Sequence, residues 1–433
     1  MTGLGRNTGK DPGDRDFLLF RGGQFISSLG DACAEIAVLW WVAEKTGSAL
    51  QLAAVFAPVS VARIFLLPLL GPLGDRYSRK SLAVLSDIWR GCISALICVL
   101  AWTGFFCLPA LIALFILSSA GSALFSSVAD SMIPQLVGNG GLNKAYRQSS
   151  LLNAAATITG GLLGGLITAK FGIIAAFFVD ALSYFAGAGS TMLITLRYQG
   201  KPAAHTSFTL SSWFTELKAG ARMVSRIPIQ LWICGLAAFL NFMISSLTVA
   251  FPLLAKSSGT MPVWLIGLFK SGISAGMIAG SLSLGALSRK FKGDRLILAG
   301  VGIIGAGLLF LGLGAPPAAQ CGIMFAIGAG LVTINVPLMS QNNLAIPDKY
   351  RSRALSMVMF FNQAFAPAGV MTAGGIIAGA GLGLTLAAGG GLVLIAIPAM
   401  LLMPEFIKFF RLSAEEAENY FAKTYPHAFE TCA

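Results

Sequence analysis

The chain has 433 residues, of which 56% are hydrophobic and only 11% charged, against about 25% charged in a soluble domain. That balance excludes a water-soluble globular fold and describes a polytopic membrane protein, with lipid as the solvent for most of its surface. The formal charge of +12 is scattered between apolar stretches and not gathered on one domain, so it reads as a topology signal and not as a nucleic-acid surface.

A run of about 20 apolar residues crosses a bilayer as a helix. Taken along the chain, that rule predicts an all-α integral membrane protein with 12 transmembrane helices, at 17–43, 49–72, 81–103, 108–130, 144–169, 172–196, 229–255, 262–288, 294–314, 318–340, 353–380 and 383–404. Residues 1–16 are then a cytoplasmic N-terminus without a cleavage-type pattern. An N-terminal six-helix half (17–196) leads to a central cytoplasmic loop (197–228), a C-terminal six-helix half (229–404) and a cytoplasmic tail (405–433). Of the 30 Lys and Arg residues, 24 fall in or beside the connections on one side, three (Lys45, Lys170, Lys256) on the other, and three (Arg63, Arg90, Lys270) inside spans. By the positive-inside rule both termini lie in the cytoplasm, the expected setting being a bacterial inner membrane.

The two halves echo each other. Gly71-Pro-Leu-Gly at the end of the second span returns as Gly285-Ala-Leu-Ser at the end of the eighth, Ile133-Pro134 as Ile346-Pro347, and Leu152-Asn153 as Phe361-Asn362, at offsets of 214, 213 and 209 residues. Parallel halves around a site near the midplane are a transporter architecture.

Ionisable side chains inside the bilayer are costly and usually face a cavity or one another. On the first span Gln24, Ser28, Asp31 and Glu35 follow at spacings of 4, 3 and 4, one helical face. Two acids a turn apart resist ionising together, which makes Asp31 and Glu35 candidates for loading and releasing a proton. Alternatively they are pinned by partners such as Arg63 or Arg90. Asp87 and Arg90, three residues apart on the third span, are expected to pair, while Arg63 needs an acid from another helix, with Asp31 the candidate. Lys270 either meets an anionic substrate group or snorkels to the surface. Asp180 is placed in the bundle interior and Asp130 near the inner interface.

Uncharged polar stripes extend the set of substrate-cavity candidates: Gln24; Ser119, Ser122 and Ser126; Ser149, Asn153 and Thr157; Asn241, Ser245 and Thr248; Asn362 and Gln363. Phe239, Phe242, Met359, Phe360 and Phe361 would give an apolar, adaptable wall. Gly160, Gly161, Gly164 and Gly165 set two overlapping Gly-x-x-x-Gly pairs for close helix packing.

Other chemistry is not expected. Gly272-Ile-Ser274-Ala-Gly276 copies a hydrolase nucleophile pattern, but it lies inside an apolar span, and both histidines, His205 and His427, fall in cytoplasmic segments. There is no phosphate-binding loop, and the seven cysteines form no metal-type pair. No enzyme, cofactor or metal is anticipated. Residues 211–226, with Trp213, Phe214, Leu217, Ala221 and Val224 on one face, read as an interfacial helix. The tail around Glu415, Glu416 and Glu418 reads as a solvated helix.

The loop Gly71-Pro-Leu-Gly-Asp75-Arg76-Tyr-Ser-Arg79-Lys80 resembles the major facilitator superfamily signature Gly-x-x-x-Asp-Arg-x-x-Arg-Lys. The stretches Gly23–Asp31, Thr46–Leu50, Asp87–Arg90, Ile133–Val137 and Asp180–Ser183 resemble the branch that contains bacterial macrolide-efflux, enterobactin-export and lysophospholipid-transport proteins. The resemblance implies a usually monomeric secondary transporter working by alternating access. The expected cargo is an amphipathic small molecule such as a drug-like compound or a siderophore, exported on the proton gradient; a lysophospholipid flippase, a siderophore importer and a non-transporting, transporter-like receptor are the alternatives, since fold and motifs do not encode direction. It also implies a latch in which Asp75, supported by Gly71, Arg76, Arg79 and Lys80, meets the start of the eleventh span near Ser352. The second half lacks the corresponding Asp after Gly285, so the latch is expected to be asymmetric. Gly161 stands where the family's antiporter motif has proline, a departure that weakens the case for proton antiport.

Overall fold

The computed structural model describes residues 12–70, 73, 77–196, 210–257, 263–347, 350, 357–358, 360–403 and 405–430. The chain begins with α1 (Pro12–Thr46), α2 (Ala49–Leu70) and α3 (Arg79–Trp102). A helical stretch over Leu108–Leu193 is then broken at Gly138 (φ 64°) and Gly172 (φ 81°), dihedrals that a Cβ disfavours, which divides it into α4 (108–138), α5 (139–171) and α6 (173–193). After the surface helix α7 (Leu210–Ser225) come α8 (Pro228–Ser257), α9 (Trp264–Lys290), α10 (Gly293–Gly312), α11 (Pro317–Ala345), α12 (Ala366–Ala380) and α13 (Leu382–Leu401).

The expected spans therefore map onto α1–α6 and α8–α13. Ten helices among the described residues are long and apolar enough to cross a membrane, and the longest, Lys144–Leu193, holds two spans joined at Gly172. The described part of the eleventh span is Ala366–Ala380 with helical residues 360–364 before it. The first helix begins five residues ahead of its expected start, at Pro12.

Apolar side chains gain little by leaving lipid for protein, so helices associate through close packing of small residues. The two glycine pairs of α5 do this in two directions. A Cβ on Gly160 or Gly164 would fall 2.8 Å from Ala32 Cβ or 2.9 Å from Cys33 Cα, on α1. One on Gly161 or Gly165 would fall 2.3 Å from Ser271 Oγ or 2.9 Å from Trp264 Cα, on α9. One helix edge thus holds its own half together while the adjacent edge grips the other half. A matching contact joins α2 to α12, where a Cβ on Gly374 would lie 2.6 Å from Ala53 Cβ.

Both contacts between halves lie at the end remote from the basic loops, hereafter the far end. There Trp41, 2% exposed, also meets Phe106 and Phe177 edge-on, with ring centroids 5.4 and 6.0 Å apart. Toward the basic end α2 is only partly covered: from residue 58 to 70 none of its described side chains is fully buried.

The tail is docked and not a free solvated helix. Short helices α14 (Phe406–Arg411), α15 (Ala414–Ala417), α16 (Tyr420–Thr424) and α17 (His427–Glu430) pack an aromatic cluster of Phe406, Phe409, Phe410 and Phe421 against the C-terminal half. Arg411 donates from Nε and Nη2 to Asp294 Oδ2 at 3.0 and 2.8 Å, placing a negative charge in the first turn of α10. Glu415, Glu416 and Glu418 are exposed, as a solvated face requires. In α7, Met223 and Val224 are buried, so its last turn packs on protein; the side chains of Trp213, Phe214 and Leu217 lie outside the described residues.

Because a Cβ on Gly267 would sit 2.1 Å from the Gly161 carbonyl oxygen, a backbone atom with no room to give, Gly267→Val should force α5 and α9 apart. The expected cost is about 1–3 kcal/mol of overpacking, read as a lower melting midpoint of the purified protein. An unchanged midpoint would show that this contact is not close-packed.

Candidate functional site

The polar centre is built around Arg90 of α3. Arg90 is buried, and its Nη2 donates to both oxygens of Asp31 on α1, at 2.9 and 3.0 Å. Nη1 lies 3.9 Å from Asp87 Oδ1, and the Tyr184 ring of α6 covers the guanidinium at 4.1 Å from its centroid. The Tyr184 hydroxyl donates to Asp31 Oδ1. Behind this group Ser94 donates to Asp180 Oδ2 at 2.6 Å. Asp87 and Asp180 are 2% and 4% exposed, and one oxygen of each accepts no hydrogen bond. Gly187 and Gly30 make room for this cluster: a Cβ on Gly187 would fall 3.3 Å from Asp87 Oδ2, and one on Gly30 would fall 2.9 Å from Asp180 Cα.

Asp31 also faces open space. A cavity of about 250 Å³ runs from it toward the basic end, lined by Gln24, Ser28, Ser122, Ser126 and Asn153 and reaching Arg21 and Asp130. A second, of about 270 Å³, shares Ser28, Asp31 and Asn153 and continues to Glu35, Thr157, Gly161 and Lys270 at the far end. There Lys270 of α9 pairs with Glu35 of α1, an ion pair between the two halves. One residue on, Ser271 Oγ donates to the Ile158 carbonyl of α5 at 2.8 Å.

Several expectations are corrected by this geometry. Arg63 does not meet Asp31, which is held by Arg90, one of the alternatives the sequence left open, and by Tyr184; Arg63 is exposed on α2, and no described residue pairs with it. Asp31 and Glu35 do not form a bare acid pair, since each is matched by a cation from a different helix. Lys270 is 23% exposed and pairs with Glu35, a partner the sequence reading did not name. Asp87 and Arg90 do approach, but the closer partner of Arg90 is Asp31.

Gln24, Ser122, Ser126 and Asn153 line the first of these cavities. The candidates of the second half sit apart. Asn241 donates to Asn362 beside a cavity of about 80 Å³ that also holds Asn335. Ser245 donates to the Phe242 carbonyl at 2.8 Å where α12 packs on α8, Phe361 packs with Phe360 near Val224 and Cys234, and Gln363 is exposed. Of the latch, Gly71, Asp75, Arg76 and Ser352 lie outside the described residues, as does Met359. Arg79 and Lys80 donate to the carbonyls of Ser131 and Ile194, at 3.2 and 2.8 Å, tying the loop to α4 and to the exit of α6.

Tyr184, Ser94, Arg21 and Asn335 were not anticipated. Tyr184 follows Asp180 by one helical turn, and that spacing was the available signal; Arg21 precedes Gln24 on the same face and accordingly donates to it.

Two helical bundles closed at one end, with a charged cavity reaching the other, define a transporter of the major facilitator type. Residues 17–429 match the family described as transmembrane secretion effector, and the chain belongs to it. Among its relatives are the uncharacterized MFS-type transporter YfiS of Bacillus subtilis, 26% identical with 82% of this chain and 85% of that protein covered, and macrolide efflux protein A of Streptococcus pyogenes, 23% identical with 79% and 84% covered. The fold is similar to that of the nucleoside transporter NupG, with a TM-score of 0.74 at 11% identity over 92% of this chain and all of that one.

Removing one partner of a buried ion pair costs about 3–5 kcal/mol, because it strands the other charge. Arg90→Leu should therefore destabilise the protein by that order in reversible detergent unfolding, and adding Asp87→Asn should recover part of the loss. If the single variant unfolds like wild type, Arg90 is not the neutralising centre.

Proposed function

We propose that this protein is a proton-driven exporter of an amphipathic small molecule, monomeric in a bacterial inner membrane with both termini in the cytoplasm. The observation that carries this reading is the continuous polar path from Asp130, through the half-exposed Asp31, to the Glu35–Lys270 pair at the closed end. With the basic end placed in the cytoplasm by its Lys and Arg content, the cavity faces inward and the α2–α12 and α5–α9 contacts seal the outside. Cargo enters from the cytoplasm, the halves rock, and the far end opens.

Asp31 is the proposed coupling group. Its carboxylate reaches the cavity on one side and Arg90 on the other, so protonating it releases Arg90 toward Asp87 and loosens α1 from α3 and α6. Kinship with macrolide efflux protein A supports outward transport of drug-like cargo.

A second reading, a lysophospholipid flippase, is favoured by Arg63. An exposed arginine within the membrane, flanked by exposed Val61, Phe65 and Leu67 on the partly covered stretch of α2, suits a phosphate headgroup entering sideways.

The test uses everted vesicles energised with a pH gradient and a fluorescent amphiphile such as rhodamine 6G. Asp31→Asn should lower gradient-driven accumulation by about tenfold or more, a barrier change of about 1.4 kcal/mol, while exchange without a gradient persists. Equal gradient-driven rates in variant and wild type would remove Asp31 from the coupling step. For the second reading, Arg63→Gln should abolish lysophospholipid movement and leave rhodamine export intact. Unchanged lysophospholipid movement in that variant would exclude a headgroup role for Arg63.

A further inference from the structure

The charges around the cavity are not presented evenly. The carboxylate side chains are open to it: Asp31 is 47% exposed, Glu35 46% and Asp130 83%. The cations stand behind them, with Lys270 at 23%, Arg90 at 9% and Arg21 at 8%. Asp87 also borders the cavity but is almost fully buried, with Oδ1 3.9 Å from Arg90 Nη1. The surface a ligand meets is therefore negative, although the cluster as a whole is close to charge balance.

Lys270 is the exception among these cations. Arg90 is fixed by three partners, whereas Lys270 reaches Glu35 across the boundary between halves on a flexible four-carbon stem. The same boundary is sealed by Gly161 and Gly165 against Gly267, and by the bond from Ser271 to Ile158. For the far end to open, α1 and α5 must part from α9, and the Glu35–Lys270 pair must break. Breaking it with nothing in exchange leaves a carboxylate within the membrane without a counter-charge, which is costly. Exchanging one cation for another is nearly neutral.

We propose that Lys270 stands in for the cargo. In the empty molecule it occupies the position on Glu35 that the positive group of a cationic amphiphile, a protonated amine or a quaternary centre, takes on loading; Lys270 then withdraws to water and frees α9 from α1. This deepens the export reading and rests on it: cargo charge becomes the trigger for opening the far end, so an empty carrier stays shut. An anionic amphiphile offers Glu35 nothing and leaves the lock in place.

The test is gradient-free binding of tetraphenylphosphonium to the purified full-length protein in nanodiscs, with tetraphenylborate as the anion of matching shape. Tetraphenylphosphonium should bind and tetraphenylborate should not. Glu35→Gln should weaken tetraphenylphosphonium by about tenfold or more, about 1.4 kcal/mol in binding free energy. Lys270→Gln should tighten it severalfold, because the internal competitor is gone. Lys270→Arg, which keeps a cation on Glu35 and so preserves the fold, should weaken it.

In a background lacking native cysteines, spin labels at Lys170 and Ala318, exposed positions at the far end of either half, should move apart when tetraphenylphosphonium is added. Equal weakening by Glu35→Gln and Lys270→Gln would reduce the pair to a structural tie and overturn the proposal. So would preferential binding of tetraphenylborate, or tetraphenylphosphonium binding with no change in the spin–spin distance. Failure of gradient-driven export with these binding results intact would instead count against the proton-coupled reading and leave the exchange at Glu35 standing.

Discussion

A guanidinium held inside the hydrocarbon region must be neutralised, and much of the N-terminal half is arranged to do so. Arg90 draws a carboxylate from α1, another from its own helix and an aromatic face from α6, so one charge sets the mutual orientation of three helices. Membrane burial raises the penalty for leaving any of these groups alone, which is why Gly30 and Gly187 are needed: the backbones must come close enough for short side chains to meet. Charge neutralisation and small-residue packing are here one constraint, since the first is geometrically out of reach without the second.

A related logic operates between the halves, but there the contacts have to be reversible. The α2–α12 and α5–α9 seams depend on glycine against backbone and not on interlocked large side chains, so they can separate without dragging a core apart. The tie across the second seam is a lysine, a point charge on a flexible stem where the centre has a planar arginine. The molecule thus places its larger ion cluster inside one half and a single lysine–glutamate pair at the boundary. The docked tail strengthens the C-terminal half as a body by holding α10 and α11 through Arg411, Gln341 and the Phe409 cluster.

Much of the architecture was legible in the sequence because membrane crossing imposes a local rule. Span length, the Lys and Arg asymmetry and the loop signature need no knowledge of neighbours, and the helices appear where those signals lie. The polar stripe Gln24, Ser28, Asp31 on one face of α1 likewise came out facing a cavity, since helical spacing alone decides which side chains share a face. The pairing errors have a common cause. Arg63 and Asp31 both lie within spans, and so do Arg90 and Asp31; sequence spacing cannot choose between them, because the choice depends on the rotation of α2 and α3 about their axes. Glu35 and Lys270 are separated by more than two hundred residues, and nothing local links them.

The sequence by itself determined that the chain spans a membrane, where its helices run, which loops are basic and which charges are embedded, all consequences of hydropathy and short-range periodicity. Only the tertiary structure decided that Asp31 belongs to Arg90 and Tyr184, that Glu35 bridges to the other half through Lys270, that Asn241 and Asn362 share a separate small cavity, and that the far end is the closed one. Those outcomes depend on how helices rotate and approach, and that is set by the fit of glycine edges and buried charges in three dimensions.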